Sequence, residues 1–339
     1  MPLSKRVRRV IGRTAGMPLG ISALLLLRLT RRHAGVALMY HSVAARAGDP
    51  DRELVPPHES GLFERQLRHL RRHYDVVPAA RLQEAARTRR RGQRFPVAIT
   101  FDDDLACHES VALPILRRTG ATATFFLSGA SLERPFAFDY ERLQRAVDER
   151  VPAVPALVTG TPGATEPSRI HELSLVLELM TPEDRDAAAA RLGDAVGPDP
   201  PDAGIRAEQV RRLADAGMTV GFHTYRHHSL TGLTDDQLAQ AMDMGRDILA
   251  EAAGAPVDTI GYPHGRADER VAAAARAAGF RAGFTTRRVP VTPQSDPLLQ
   301  GRVGPSLHSV GGLALEVVLT LLRWSGSARP SPARQRPAS

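Results

Sequence analysis

From residue 36 onward, short apolar runs alternate with stretches of helical periodicity. The runs at 36–40, 97–101, 122–127, 218–222, 259–262 and 282–285 each have the length of a buried strand. Between them, Leu62, Phe63, Leu67 and Leu70 recur at helical spacing. Residues 110–118 read as a helix stopped at Thr119-Gly120, and 235–253 as one helix running from a Thr234 cap to Gly254. Strands that alternate with helices predict βαβ units and a parallel sheet. The stretch 131–204 interrupts the spacing and reads as an insertion, with one apolar helical piece at 171–180 and a Pro/Gly/Asp loop at 197–204. In a barrel, such insertions sit on the face that carries the βα loops.

The two ends of the chain are of a different kind. Residues 1–35 hold eight Lys and Arg and no acid, and 321–339 hold four Arg and no acid. The net charge of +8 is therefore terminal, because residues 36–320 carry 33 basic against 37 acidic side chains. A slightly acidic body argues against a nucleic-acid partner. The uncharged run 14–27 is too short to span a bilayer and lacks a small-x-small cleavage site after it. It predicts a retained basic apolar helix within residues 1–34, lying on an anionic membrane surface or docked on the barrel. That reading places the protein in the cytoplasm, peripheral on the inner face of the membrane, with export as the alternative. A second apolar helix is expected at 313–324, followed by a disordered basic tail within 311–339. The single cysteine, Cys107, excludes an internal disulfide and a CxxC motif.

Three motifs stand at strand ends. Ile99-Thr100-Phe101-Asp102-Asp103-Asp104 places three carboxylates together, costly unless a cation or hydrogen bonds hold them. An exposed acidic turn capping the next helix is the structural alternative. In Phe222-His223-Thr224-Tyr225-Arg226-His227-His228, two imidazoles four residues apart suit convergence on one cation, and with an Asp oxygen they suit Zn²⁺ or another first-row divalent metal. Gly261-Tyr262-Pro263-His264-Gly265-Arg266 reads as a turn that holds a backbone N–H rigidly.

With these motifs the chain resembles the polysaccharide deacetylases of the NodB-homology type, carbohydrate esterase family four. The resemblance runs from Gly35-Val36-Ala37-Leu38-Met39-Tyr40-His41-Ser42-Val43 to about Arg302. It rests on Thr100-Phe101-Asp102-Asp103, Thr122-Ala123-Thr124-Phe125-Phe126, His223-Thr224-Tyr225-Arg226-His227 and Tyr262-Pro263-His264-Gly265 in the family's order. It implies an α/β fold, a distorted (β/α) barrel of about seven parallel strands spanning residues 35–310. It also implies an enzyme that uses one divalent metal, Zn best fitting the donors, to hydrolyse N-acetyl groups on a sugar of an acetylated glycan.

Carried over, Asp102 resembles the general base, and Asp103, His223 and His227 the metal ligands. The backbone N–H of His264 resembles the oxyanion donor. Three departures bear on the expectation. Asp104 stands where the family has Gly, which gives it a supporting role beside the base or a contact to the insertion. The family's Arg before the Pro is missing, leaving Arg302 to approach the base from the last strand. Leu307-His308 lacks the spacing of the family's late acid motif, so the general acid stays open among His308, His264 and His41. His108 reads as a surface or capping residue, and His228 as a loop residue facing away from the metal. Hydrolysis of another amide, such as formyl on a lipid-linked sugar, and an idle carbohydrate-binding barrel are the competing functions.

Overall fold

The structure is a computed structural model that describes residues 16–323. Its strands are β1 (Val36–Tyr40), β2 (Val43–Ala44), β3 (His58–Glu59), β4 (Asp75–Val76), β5 (Pro96–Asp102), β6 (Thr124–Leu127), β7 (Thr219–Phe222), β8 (Thr259–Gly261), β9 (Ala282–Phe284) and β10 (Arg302–Val303). Seven of them run parallel in the order β10-β1-β5-β6-β7-β8-β9 and form a nearly closed barrel, while β4 pairs with the first residues of β5. The gap between β9 and β10 is bridged by Gln300, whose carbonyl accepts from the Thr285 N–H at 2.8 Å. The expected distorted (β/α) barrel of about seven parallel strands is thus the observed one.

Strand parity divides the core. Along β5 every residue is buried, as expected for a strand covered on both faces. Val97, Ile99 and Phe101 point to the surrounding helices, whereas Ala98 joins Ala37, Phe126 and Phe284 inside the barrel. The interior is narrow. A Cβ at Gly221 would come within 2.5 Å of the Phe126 ring and one at Gly261 within 2.8 Å, so only glycine fits on either side of that ring. Asp102 shares its parity with Ala98 and Thr100 and therefore emerges at the mouth of the interior, at the carboxyl end of the strands.

The helices are α1 (Gly16–Arg28), α2 (Ser60–His73), α3 (Leu82–Thr88), α4 (Leu113–Thr119), α5 (Asp139–Asp148), α6 (Val154–Thr159), α7 (Ile170–Leu179), α8 (Pro182–Val196), α9 (Ala207–Asp215), α10 (Asp235–Asp243), α11 (Arg246–Ala253), α12 (Glu269–Ala277) and α13 (Val310–Leu322). Several stops and starts follow local chemistry. Gly120 ends α4 with φ of 63°, and the Thr234 side chain caps α10 in a capping box with Gln237. The single helix expected over 235–253 is instead broken at Met244-Gly245. Gly245 has φ of 81°, and a Cβ there would sit 2.5 Å from the Tyr225 ring, so tertiary packing, absent from the helical periodicity, sets the break.

The insertion folds as four helices, α5 to α8, around a small core of its own that includes Leu143, Val158, Leu173, Leu177 and Leu192. Its apolar helix, expected over 171–180, is α7. At the chain ends, α1 packs beside α13. Both expected apolar helices are present, while the expected tail and Trp324 lie outside the described residues.

Candidate metal centre and catalytic mouth

The strand β5 delivers Asp102, and the chain turns sharply at the next residue. Asp103 adopts φ of 73°, a left-handed conformation that aspartate tolerates better than most side chains. The two carboxylates consequently diverge. Asp102, which is 2% exposed, receives two bonds from the guanidinium of Arg302 in β10, at 2.5 Å and 2.8 Å. Burial raises its pKa, but the charges of Arg302, His223 and His41, with the Arg302 hydrogen bonds, outweigh burial and hold the carboxyl below its ordinary value. Arg302 is itself buried, donating also to the Thr285 carbonyl and the Thr100 hydroxyl. The expected approach of Arg302 to the base from the last strand is present as a bidentate pair.

Asp103 turns to the histidine loop after β7. Its Oδ1 lies 3.4 Å from His223 Nε2 and 3.5 Å from His227 Nε2, and the three side chains are buried. The ligand atoms all lie within 4.8 Å of one another. The 3.4–3.5 Å separations match the edge of a coordination polyhedron whose metal bonds are about 2.0–2.2 Å. Thr224 and His227, with φ of 55° and 52°, bend the loop so that the second imidazole returns to the first. The His223 Nδ1–H donates to the Gly261 carbonyl at 2.6 Å, which orients the ring and turns Nε2 toward Asp103. His227 is pushed well below the ordinary imidazole value by burial and then by His264, whereas for His223 burial is outweighed by the Asp102 and Asp103 carboxylates, which raise it, so a cation bound there would take the place of a proton on its Nε2. The residues present fit a single divalent cation.

Asp104 takes no part in that cluster. It accepts from the Ser128 N–H and hydroxyl, both at 2.7 Å, and from the Ser131 hydroxyl at 3.1 Å. A buried carboxylate thus ties the end of β6 to the start of the insertion, which is the contact expected of it.

His264 lies in the turn after β8, with φ of 55°. Its Nε2 lies 3.1 Å from Arg185 Nη1, and Arg185 pairs with Asp139 at 2.6 Å and 3.0 Å. Because guanidinium only donates, Nε2 must accept, and burial together with the Arg185 charge lowers the His264 pKa to about 3. The ring is neutral and is a poor proton donor. His308 is exposed, in the turn between β10 and the Ser309 cap of α13, and is not among the residues that line the cavity. His41, at the end of β1, does line the cavity. His108 also departs from expectation. It is fully buried against Phe101 and Phe125, its Nε2 3.1 Å from the His41 carbonyl. His228 reaches Asp186 at 3.0 Å instead of the metal ligands.

The mouth is a cavity of about 450 Å³ lined by Asp102, Asp103, His223, His227, His264 and His41, and on the insertion side by Tyr140, His171, Ser174, Leu175 and Glu178. Sequence patterns do not reveal Tyr140, Asp139 or Arg185, because their relevance depends on how α5, α7 and α8 fold over the barrel. Tyr140 keeps its proton: burial, then Asp103 and Glu141, raise it well above the ordinary phenol value.

Residues 89–283, more than half of the chain, match the polysaccharide deacetylase family. The chain belongs to that family. The YxkH protein of Bacillus subtilis (strain 168), a polysaccharide deacetylase by name, is 32% identical over 79 residues, 23% of this chain and 28% of that relative's length. The Streptococcus pyogenes deacetylase PplD, solved with acetate, superimposes with a TM-score of 0.57 and 17% identity over 84% of this chain and 98% of its own. IcaB from Ammonifex degensii does so with a TM-score of 0.53 and 19% identity over 83% and 97%. At such identities the two structures establish the fold, and the family assignment rests on the sequence match.

Proposed function

We propose that this polysaccharide deacetylase family member hydrolyses N-acetyl groups on a sugar of an oligosaccharide, glycan chain or glycan precursor. The observation that carries this reading is the meeting of three buried ligand atoms, from Asp103, His223 and His227, beside a separately anchored carboxylate, Asp102. The nitrogen-rich donor set favours Zn²⁺, and a cation held there supplies Lewis-acid polarisation of the amide carbonyl and lowers the pKa of water. Asp102 is the general base and takes a proton from the attacking water. As the water oxygen bonds to the carbonyl carbon, the carbonyl oxygen becomes negative, and the His264 backbone N–H and the Tyr140 phenol are the donors available to it. Of the candidate acids, His41 lines the cavity and gives its proton to the sugar nitrogen while the C–N bond breaks, leaving acetate and a free amine.

The cavity volume falls in the range of small-molecule sites, about 300–1,000 Å³. Residues of α5 and α7 line it on the insertion side, where they would meet the sugar. The test is release of acetate and amine from N-acetylated oligosaccharides before and after chelation. Loss on chelation and recovery with Zn²⁺ are expected. Formate release from an N-formylated lipid-linked sugar, with no acetate from any acetylated one, would move the reading to that amide. Absence of both products from a metal-loaded protein would leave a carbohydrate-binding barrel.

A further inference from the structure

The helix α1 has two unlike faces. One packs along α13, with a Cβ at Gly16 only 2.7 Å from the Gly311 carbonyl oxygen and one at Gly20 2.9 Å from Ala314, and it buries Leu24 and Leu27. The other leaves Leu19, Leu25, Leu26 and Leu29 between 50% and 69% exposed, and Leu322 at the end of α13 is 47% exposed. No helix among the described residues is long and apolar enough to cross a membrane.

The end of α1 meets the turns that lead into β4 and β5, at the amino end of the barrel and opposite Asp102. The Arg28 carbonyl accepts from the Gly92 N–H at 2.8 Å, the Arg28 guanidinium donates to the His73 carbonyl, and Arg94 donates to the Arg71 carbonyl. Leu25, Leu26 and Leu29, in and just after the last turn of α1, therefore stand beside Arg28, Arg31, Arg72, Arg90, Arg91 and Arg94. The charges add: after burial, Arg28, Arg72 and Arg94 each lower the pKa of His73. Residues 1–35 contain no acid to offset them.

We propose that this face of α1, with the arginine-bearing turns at the amino end of the barrel, is a docking surface for an anionic phospholipid bilayer. Leu25, Leu26 and Leu29 enter the acyl boundary, the guanidinium groups lie at the level of the headgroups, and the mouth at the far end of the barrel opens to the aqueous side. Charge selects the occupant. A second copy related by a two-fold axis would bring like-charged arginines together, whereas an anionic surface neutralises them.

The inference rests on the fold and not on the proposed chemistry, so its test reads binding alone. The full chain is sedimented with vesicles of phosphatidylcholine or of phosphatidylcholine containing phosphatidylglycerol, at low and high salt. Binding to the anionic vesicles is expected. It should fall at least about tenfold at high salt, in a Leu25→Asp/Leu26→Asp variant, and in an Arg90→Glu/Arg91→Glu variant. Circular dichroism melting confirms that each variant folds. Equal binding to both lipids, or wild-type binding by both variants, would overturn the proposal. So would a lipid-free dimer that Leu25→Asp converts to a monomer, because the face would then pair two copies.

Discussion

Asp102 and Asp103 are neighbours in sequence and strangers in space. One left-handed residue sends the first carboxylate to Arg302 and the second to His223 and His227. If the second is a ligand, Asp103→Asn and His223→Ala lose bound metal together with activity. Asp102→Asn keeps the metal and the fold while the rate falls by roughly 10²–10⁴, the usual worth of a general base. Metal analysis beside steady-state kinetics separates the two classes, and metal loss from Asp102→Asn would exchange the assignments. Arg302→Lys makes a second, finer test. Lysine offers a point charge in place of the planar fork that binds both Asp102 oxygens, so kcat should fall with metal content unchanged, and a wild-type kcat would deny the fork a positioning role.

At the scale of elements, the cap formed by α5 to α8 is joined to the mouth by a buried pair from two of its own helices. Asp139 at the start of α5 and Arg185 in α8 are 7% and 5% exposed, and Arg185 goes on to His264. Removing one member leaves an uncompensated buried charge, so Arg185→Met should cost about 3–5 kcal/mol in urea unfolding. The double change Asp139→Leu/Arg185→Met removes both charges and should recover much of that loss. A double variant as unstable as the summed single ones would show that the two residues act independently. Either change also removes the partner of the His264 Nε2. A fall in kcat that persists in the stability-recovered double variant would therefore separate orientation of the His264 turn from folding.

Across the whole molecule, burial of neutral histidines makes the barrel acid-labile. His58, His69 and His108 are each lowered to about 4 from the ordinary 6.5, in each case first by burial. Their unfolded forms bind a proton below about 6.5 and their folded forms only below about 4. The stability they contribute is therefore present above 6.5 and is lost as the pH falls through that window, each histidine supplying on the order of 1–3 kcal/mol. Urea midpoints measured from neutral pH down to about pH 4 should decline, and His69→Leu should flatten the decline; an unchanged slope would exclude His69 as a contributor.

Much of this was legible in the order of residues. Buried parallel strands are written as continuous apolar runs, because both faces of such a strand are covered, and six of the seven barrel strands appear that way. Residue types at strand ends point to a cation site, a pair of imidazoles with a group of carboxylates, and the family resemblance is what singles out Asp103 from its neighbours to stand with His223 and His227. The closing strand β10 has only two residues and carries no periodicity, so the pattern alone does not show it, and the approach of Arg302 from it is an expectation of the family resemblance. Nor could the break at Gly245 against Tyr225 be read, or the reach of Arg185 to His264 and of Tyr140 into the mouth. Local pattern determines which segments become strands and helices and which chemistry they carry, because burial and hydrogen bonding act residue by residue. Which side chains finally meet is decided by the packing of elements distant in sequence, where a ring, a glycine or a buried charge leaves only one arrangement without a clash or an unpaired group.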